Sequence, residues 1–422
     1  MVQDGTTQLI CLTASSGVPL FTRGAHRQLP FSVIGSLNGV HMFGGSQGAE
    51  VSSCSTEGGG RVVWRVFQDS VMLIAVGRGG PGGGREAEVC FHRLLENVWN
   101  CMVLVLGQDE LARVRNVERL KKDLRSCFGL IDQLLEDRQE GILGNLTHCA
   151  DSLLAPDPAL LQEALDGFAQ SADSEFGCLV VHGRIAPPTE KWWRLARRRL
   201  VLLSALIRSL TGSGTASCDY PVFLPRGSPN VAHRLLRFQL LPGANVCILC
   251  GPSPSLHGAQ TGLVVPLWTP LMEALRDCLA VGQRCLPPSV SLRPDVLALL
   301  LINRDKRRCV SCVQASPGTS DPPAPSTARC WELLKAFYSF SVTRYFPQED
   351  STLGVSTEDN RDDFVPGFSH TPLQCYLVTD ECKSFGLQTA QHLLLLLAPL
   401  WVPTFALHTV ASQTLSHIVS AT

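Results

Sequence analysis

Charge is scarce in this 422-residue sequence. Charged residues make up 17% of the chain and nearly cancel, with 36 Lys and Arg against 37 Asp and Glu. A near-neutral chain lacks the broad basic footprint of nucleic-acid binding, so no nucleic-acid partner is expected. Hydrophobic residues make up 45% of the chain, which favours a large core and extensive contacts between subunits.

Long hydrophobic runs and a secretion signal are also missing. The best candidate for a membrane span, residues 393–400, is far shorter than the ~20 apolar residues that a bilayer requires. The start of the chain carries Asp4 rather than a basic segment, so no secretory signal is predicted. The 17 cysteines are scattered through apolar runs, which indicates reduced, buried thiols in a cytoplasmic protein.

Catalytic motifs are absent as well. The glycine-rich stretch 77–84 lacks the Lys-Ser or Lys-Thr pair that a P-loop requires. The pairs Cys247/Cys250 and Cys309/Cys312 have zinc-like spacing, but they lie in apolar strands, where residues three apart point to opposite faces. We therefore expect no catalytic residues, no metal site and no cofactor, and predict that the protein is not an enzyme.

The segment 29–44 is apolar around most of its circumference, which predicts a buried or sandwiched helix. Phe31 lies near its start, and Gly35 and Gly39 share one side of the helix. Each glycine costs about 1 kcal/mol relative to alanine within a helix, so we expect a second backbone to approach that side closely. Two alternatives are open: the protein's own sheet, or a partner subunit.

One order of elements occurs three times along the chain. Two short strands precede the helix at 29–44, strands at 61–67 and 71–77 follow it, and helices are predicted at 86–106 and 114–136. We predict an α+β fold with three such units, each an antiparallel sheet flanked by helices, at residues 1–140, 151–285 and 290–422. The third unit is predicted to end in a helical region over residues 391–400 and 405–419.

The predicted helix at 114–136 carries a basic face that includes Arg115, Arg119 and Lys122. Such a face is either solvated or in contact with an acidic partner or lipid headgroups.

A second cationic stretch opens the helix predicted at 191–210. Lys191, Trp192 and Trp193 are followed by Arg197 and Arg198. Cations beside tryptophans suit an anionic membrane surface. They also suit an ordinary helix whose tryptophans lie in the core and whose arginines lie in water.

Several segments resemble the Fuzzy family of planar cell polarity effectors, which are tri-longin proteins. The resemblance is carried by residues 29–44, 116–125, 219–229 and 250–254, and it extends to residues 375–378. It implies three consecutive longin-like domains, in agreement with the repeated element order. It also implies pairing with Inturned and membership, with Fritz (Wdpcp), of the ciliogenesis and planar polarity effector complex.

The resemblance further implies a location in the cytoplasm and cytoskeleton, at the basal body of the cilium. There the complex would engage a Rab-like small GTPase and support the recruitment of intraflagellar transport proteins, and phosphoinositide binding is also implied. We expect a non-catalytic scaffold with partner contacts at Phe31, Gly35, Gly39, Arg115, Arg119 and Lys122, and with lipid contacts at Lys191, Trp192, Trp193, Arg197 and Arg198. The alternatives are a guanine-nucleotide exchange subunit for a Rab GTPase and a phosphoinositide-binding membrane adaptor.

Overall fold

The computed structural model of the chain forms two compact units, residues 1–289 with 306–310 and residues 290–305 with 311–422. The structure describes residues 7–24, 29–57, 59–78, 84–135, 143–193, 195, 197–211, 214–225, 227–314, 325–346 and 372–421. In this described part of the chain, no helix combines the length and the hydropathy that crossing a membrane would require.

Sheet 1 is antiparallel and runs in the order β2-β1-β5-β4-β3. Its strands are β1 (Gln8–Thr13), β2 (Pro19–Gly24), β3 (Ser53–Ser55), β4 (Gly60–Phe67) and β5 (Val71–Arg78). The accompanying helices are α1 (Phe31–Ser46), α2 (Gly84–Leu106), α3 (Gln108–Ala112), α4 (Val117–Leu124), α5 (Phe128–Leu135) and α6 (Gly144–Thr147). The predicted helix at 114–136 is therefore present, with a 3₁₀ turn at Arg125–Cys127 between α4 and α5.

Successive residues of β1 point to opposite faces of sheet 1, as the period of a strand requires. Leu9 and Cys11 pack into a core that also contains residues of α2, α4 and α5. Ile10 and Leu12 pack into a separate, smaller core with Ile34 of α1. Helix α1 therefore covers one face of the sheet, and α2, α4 and α5 cover the opposite face.

Sheet 2 lies in the same compact unit and runs β8-β7-β11-β10-β9. The strands of this region are β6 (Ala150–Asp151), β7 (Phe176–Val181), β8 (Arg184–Pro188), β9 (Ser217–Leu224), β10 (Ser228–Leu241) and β11 (Ala244–Cys250). The helices are α7 (Pro158–Ser171), α8 (Glu190–Trp193), α9 (Arg197–Thr211), α10 (Leu256–Ala259), α11 (Val265–Trp268) and α12 (Met272–Val281). The single helix predicted at 191–210 is wrong, because α8 and α9 are separate helices.

Sheets 1 and 2 share one hydrophobic core. Helix α2 lies at its centre. It contacts β4 and β5 of sheet 1, and it also contacts β9 of sheet 2 and the neighbouring helix α9. Every residue of α2 from Leu95 to Leu104 is buried, and this run of nearly three turns is therefore buried around its whole circumference. The sandwiched helix of this fold is therefore α2.

Sheet 3 contains β12 (Ala298–Asn303), β13 (Arg308–Val313), β14 (Gln374–Val378), β15 (Lys383–Gln388) and β16 (His392–Ala398), in the order β14-β15-β16-β12-β13. The short strand β6 adds to this order beyond β13, with which it pairs in parallel at Arg308 and Cys309. Its helices are α13 (Thr327–Arg344) and α14 (Leu407–Ser420). When the strands of each sheet are numbered within their own unit, all three sheets run 2-1-5-4-3. This shared topology confirms the α+β prediction of one module built three times.

One element of the third module differs from the prediction. The sequence predicts a helical region over residues 391–400, but they contain β16, which pairs with β12 on one side and β15 on the other. Five consecutive leucines, Leu393–Leu397, are buried on both faces of this central strand. A continuous apolar run has neither the period of a helix nor that of a half-buried strand, so periodicity could not distinguish the two.

Candidate functional site: the outward face of α1

Helix α1 is anchored to sheet 1 by few side chains. Ile34 is buried, and Leu37 and His41 are half-buried on the same side. Trp64 of β4 donates a hydrogen bond from its indole Nε1 to the carbonyl oxygen of Leu37 at 3.1 Å. This spacing of three and four residues identifies the inward side of the helix.

The opposite side of α1 is exposed and uncharged, with Ser32 and Ser36 beside large apolar side chains, and we call it the α1 face. Phe31 is 75% exposed and Phe43 is 70% exposed, and Val33, Val40 and Met42 are exposed as well. The prediction that α1 is buried or sandwiched within the chain is therefore wrong. An apolar composition shows that a helix favours being covered, but it does not show that the same chain supplies the cover.

Gly35 and Gly39 lie in the middle of the α1 face. A Cβ added at either position would meet no atom within 4 Å among the described residues. The protein's own sheet therefore does not make the close approach that was one of the two alternatives. Contact with a partner subunit stays a prediction, and the open space at both glycines leaves room for it.

Helix α1 also lacks charge along its whole length. Its sixteen residues include no Asp, Glu, Lys or Arg. Solvated helices usually carry charged side chains on their outer face. Phe43, which the sequence reasoning missed, could have been identified from this absence of charge between residues 31 and 46.

The basic residues predicted to contact a partner lie elsewhere. Arg115, Arg119 and Lys122 are exposed at and before α4, which Asn116 caps by accepting a hydrogen bond from the backbone N–H of Arg119. Arg119 also lies 3.5 Å from the carboxylate of Asp123. Since α4 packs on the face of sheet 1 opposite to α1, the structure does not bring the two predicted sets together.

The residues predicted to contact lipid do not share one exposed surface among the described side chains. Trp192 is fully buried in the core shared by sheets 1 and 2, and Trp193 packs partly buried against it. Lys191 is exposed and forms an ion pair with Glu175. A membrane-anchoring role for Trp192 is therefore contradicted, while Arg197 and Arg198 begin α9 with side chains that lie outside the described residues.

The cysteines do not form a cluster suited to a metal. All 17 are free thiols, and no group of three His, Cys, Asp or Glu side chains within the described ranges could hold a metal ion. Cys247 lies directly opposite Cys178 on the neighbouring strand rather than beside Cys250. Burial raises the pKa of Cys178 well above its ordinary value, so this thiol stays protonated and is a poor metal ligand.

Comparison with known proteins identifies the same three modules. Family models described as the first, second and third longin domains of FUZ, MON1 and HPS1 match residues 7–134, 172–261 and 295–422. The chain is 45% identical to the protein fuzzy homolog of Xenopus tropicalis over 420 residues, which cover 98% of each chain. It is 43% identical to the human protein fuzzy homolog, with 97% of each chain covered.

Both lines of comparison span nearly the whole sequence, and the 2-1-5-4-3 sheet recurs in each matched region. The chain therefore belongs to the Fuzzy family of tri-longin proteins.

Proposed function

We propose that this chain is a non-catalytic scaffold subunit whose first longin domain pairs with Inturned through the α1 face. The observation that carries the proposal is the exposure of a charge-free helix face with two aromatic residues near its ends. Several large apolar side chains exposed on one helix typically mark a protein–protein contact.

The shape of the α1 face suits a second backbone. Sixteen residues span about 24 Å at 1.5 Å per residue. Phe31 and Phe43 project near the two ends of the helix. Gly35 and Gly39, which lie between them, have no side chains and leave the helix backbone accessible. Phenylalanine is enriched at the core of protein interfaces, while the glycines allow close approach of a partner element.

The wider role follows from membership of the Fuzzy family. We propose that the pair formed with Inturned joins Fritz, engages a Rab-like small GTPase and supports recruitment of intraflagellar transport proteins to basal bodies. The exposed basic residues Arg115, Arg119 and Lys122 lie on the opposite layer of the domain from α1. They are thus placed for a contact separate from the one with Inturned.

Introducing charge on the α1 face tests the pairing. Phe31→Asp with Phe43→Asp places two carboxylates on the surface without touching the sheet, so the thermal midpoint of the isolated chain should stay within about 2 °C. Loss of two aromatic anchors should weaken binding to purified Inturned at least about 30-fold, since hot-spot residues contribute 2 kcal/mol or more. Unchanged affinity would contradict the proposal.

The matched control is Leu160→Asp on α7. Leu160 is an exposed apolar side chain outside the α1 face, so this variant adds the same carboxylate at a place that the proposal leaves uncovered. It should bind Inturned with wild-type affinity. An equal loss in both variants would indicate a general effect of added charge.

A nucleotide-release assay tests the non-catalytic part of the proposal. Exchange factors act by favouring the nucleotide-free state of the GTPase rather than by covalent chemistry, so the lack of catalytic motifs does not decide the matter. We expect the purified complex with Inturned to leave the release rate of a fluorescent nucleotide from Rab-like GTPases unchanged. An acceleration of about tenfold or more would make the chain part of an exchange factor.

A further inference from the structure

The second compact unit contains an open sheet edge that the pairing through α1 does not use. Strand β14 is the last strand on its side of sheet 3 and pairs only with β15 among the described residues. We propose that β14 is a docking site for an extended, apolar segment of a partner protein, which adds to sheet 3 as a further strand.

The hydrogen bonds of the hairpin show which backbone groups of β14 are directed outward. The N–H of Gln388 donates to the carbonyl oxygen of Leu373 at 2.7 Å, and the N–H of Thr379 donates to the carbonyl oxygen of Cys382 at 3.0 Å. Because antiparallel pairs alternate, residues 373, 375, 377 and 379 use their backbone groups toward β15. The N–H and C=O groups of Gln374, Tyr376 and Val378 therefore face the open edge.

Other sheet edges in the described part of the chain are protected against strand addition. Natural edges are usually short, charged or interrupted by proline, because unpaired backbone groups attract other strands. The features are Arg23 in β2, the three-residue length of β3, the two-residue length of β6, Pro187 and Pro188 in β8, and Asp219 and Pro221 in β9. Strand β14 has the sequence QCYLV, with no charge and no proline.

The side chains around this edge are apolar and exposed. Tyr376 is 61% exposed and Val378 is 49% exposed. Tyr376 lies opposite Phe385 of β15, whose ring contacts His408 of α14. Because directly opposed residues point to the same side of a sheet, Tyr376 and Val378 lie on the side that α14 covers.

Two further aromatic residues flank the same end of β14. Lys383 lies opposite Val378 and donates from Nζ to the carbonyl oxygen of Val402 at 2.6 Å. This bond holds the turn before α14 against the hairpin. Trp401 and Phe405 of that turn are 62% and 88% exposed.

The outward backbone groups decide the kind of partner. Three N–H donors and three C=O acceptors along one edge are complementary to an extended chain, and the adjacent apolar side chains favour apolar residues at alternate positions of that chain. A helix or a lipid surface would cover the aromatic side chains but leave the backbone groups unsatisfied. The occupant is thus a partner strand of about five residues or more.

Hydrogen exchange resolved to single amides tests the proposal with the full chain. The probe is the synthetic peptide acetyl-Lys-Val-Thr-Val-Thr-Val-Lys-amide, titrated to about 1 mM. We expect exchange at Gln374, Tyr376 and Val378 to slow at least tenfold at saturation, while exchange within β1 and β10 stays unchanged. Unchanged exchange at the three amides would overturn the proposal.

A pair of variants at one position separates backbone pairing from side-chain contact. Tyr376→Pro removes an outward N–H that sheet 3 does not use, so the amides of β15 should stay protected while the peptide effect is lost. Tyr376→Thr shortens the same side chain but keeps the N–H, and it should retain most of the effect. Equal protection by the peptide in the proline variant would contradict strand addition.

Three other outcomes would assign the edge to a different occupant and overturn the proposal. Protection of the three amides in the free chain that rises with its concentration would indicate a second copy. Protection that is independent of concentration would indicate a segment of the same chain. A blue shift of tryptophan fluorescence on phospholipid vesicles that Trp401→Ala abolishes, without slowed exchange by the peptide, would indicate a membrane.

Discussion

Gly107 connects α2 to α3 in a backbone conformation that other residues rarely adopt. Its φ is +82° and its ψ is 156°, and a Cβ there would lie 3.1 Å from the ring of Phe223 on β9. The glycine thus allows the end of α2 to pack against the second sheet. Backbone strain of this type costs about 1–3 kcal/mol.

Gly107→Ala should lower the free energy of unfolding by about 1–3 kcal/mol, because alanine is strained at this positive φ and its methyl group lies close to the ring of Phe223. Denaturant unfolding of the isolated chain measures this change. Gly129→Ala on α5 is the matched control, because a Cβ there meets nothing within 4 Å. The control should be neutral or stabilising by up to about 1 kcal/mol, and an equal loss in both variants would contradict the role given to Gly107.

His92 of α2 provides a second prediction at a single residue. Burial lowers the pKa of His92 below its ordinary value of 6.5; Glu88 opposes that shift, and Arg65 adds to it. The Nε2 atom lies 3.8 Å from the carboxylate of Glu88. The folded protein therefore binds a proton at His92 less readily than the unfolded chain does.

This difference fixes the sign of the pH dependence. The contribution of neutral His92 to the free energy of unfolding is fully present above about pH 6.5. It is lost as the pH falls below that value, because the unfolded chain then takes up the proton before the folded protein does. His92→Gln should show a smaller loss of stability than the wild type between pH 7 and pH 5.5. Denaturant midpoints across this range give the comparison, and parallel curves would contradict the assignment.

At the scale of elements, α1 combines a destabilising sequence with an exposed surface. Gly35 and Gly39 weaken the helix, although no atom of the described residues lies close enough to require glycine at either position. Replacing both with alanine should raise the free energy of unfolding of the isolated chain by about 2 kcal/mol in total. Thermal and denaturant unfolding measure this gain.

The same double variant should bind Inturned less tightly, since two methyl groups then stand where a partner backbone is proposed to approach. Opposite changes in stability and affinity are typical of a surface kept for binding. Higher stability with unchanged affinity would show that the partner does not approach the helix at its glycines. That result would leave the aromatic ends of α1 as the contact.

Elements differ in how far the sequence predicts them. Hydrophobic periodicity predicts α4, α5 and α14, because each has one buried face. It fails at β16, where Leu393–Leu397 are buried on both faces, and at α1, whose apolar side is uncovered. In each case the pattern reports the hydropathy of the segment, whereas its neighbours in space determine its role.

The candidate site shows the same limit. Phe31, Gly35 and Gly39 could be singled out from spacing, but only the fold shows that they lie opposite the basic residues of α4. Trp192 illustrates the converse, since a tryptophan beside cations suits both a membrane surface and a core. The packing of α8 against β7 places this residue in the core.

At the scale of the whole molecule, the first two modules share one core although their sequences are consecutive and separate. Met102 of α2 is fully buried in the cluster that also contains Leu73 of β5 and Leu235 of β10. Because α2 contacts strands of both sheets, a cavity in this shared core weakens the packing that joins them. The two sheets should therefore lose protection together.

Met102→Ala should lower the free energy of unfolding by about 2–5 kcal/mol and speed hydrogen exchange in both β5 and β10. Ile34→Ala is the matched control, because Ile34 lies in the separate core between α1 and the other face of sheet 1. It should speed exchange in α1 and β1 and have a smaller effect on β10. If Met102→Ala affected sheet 1 alone, the two modules would be separate cooperative units, and α2 would belong to the first module only.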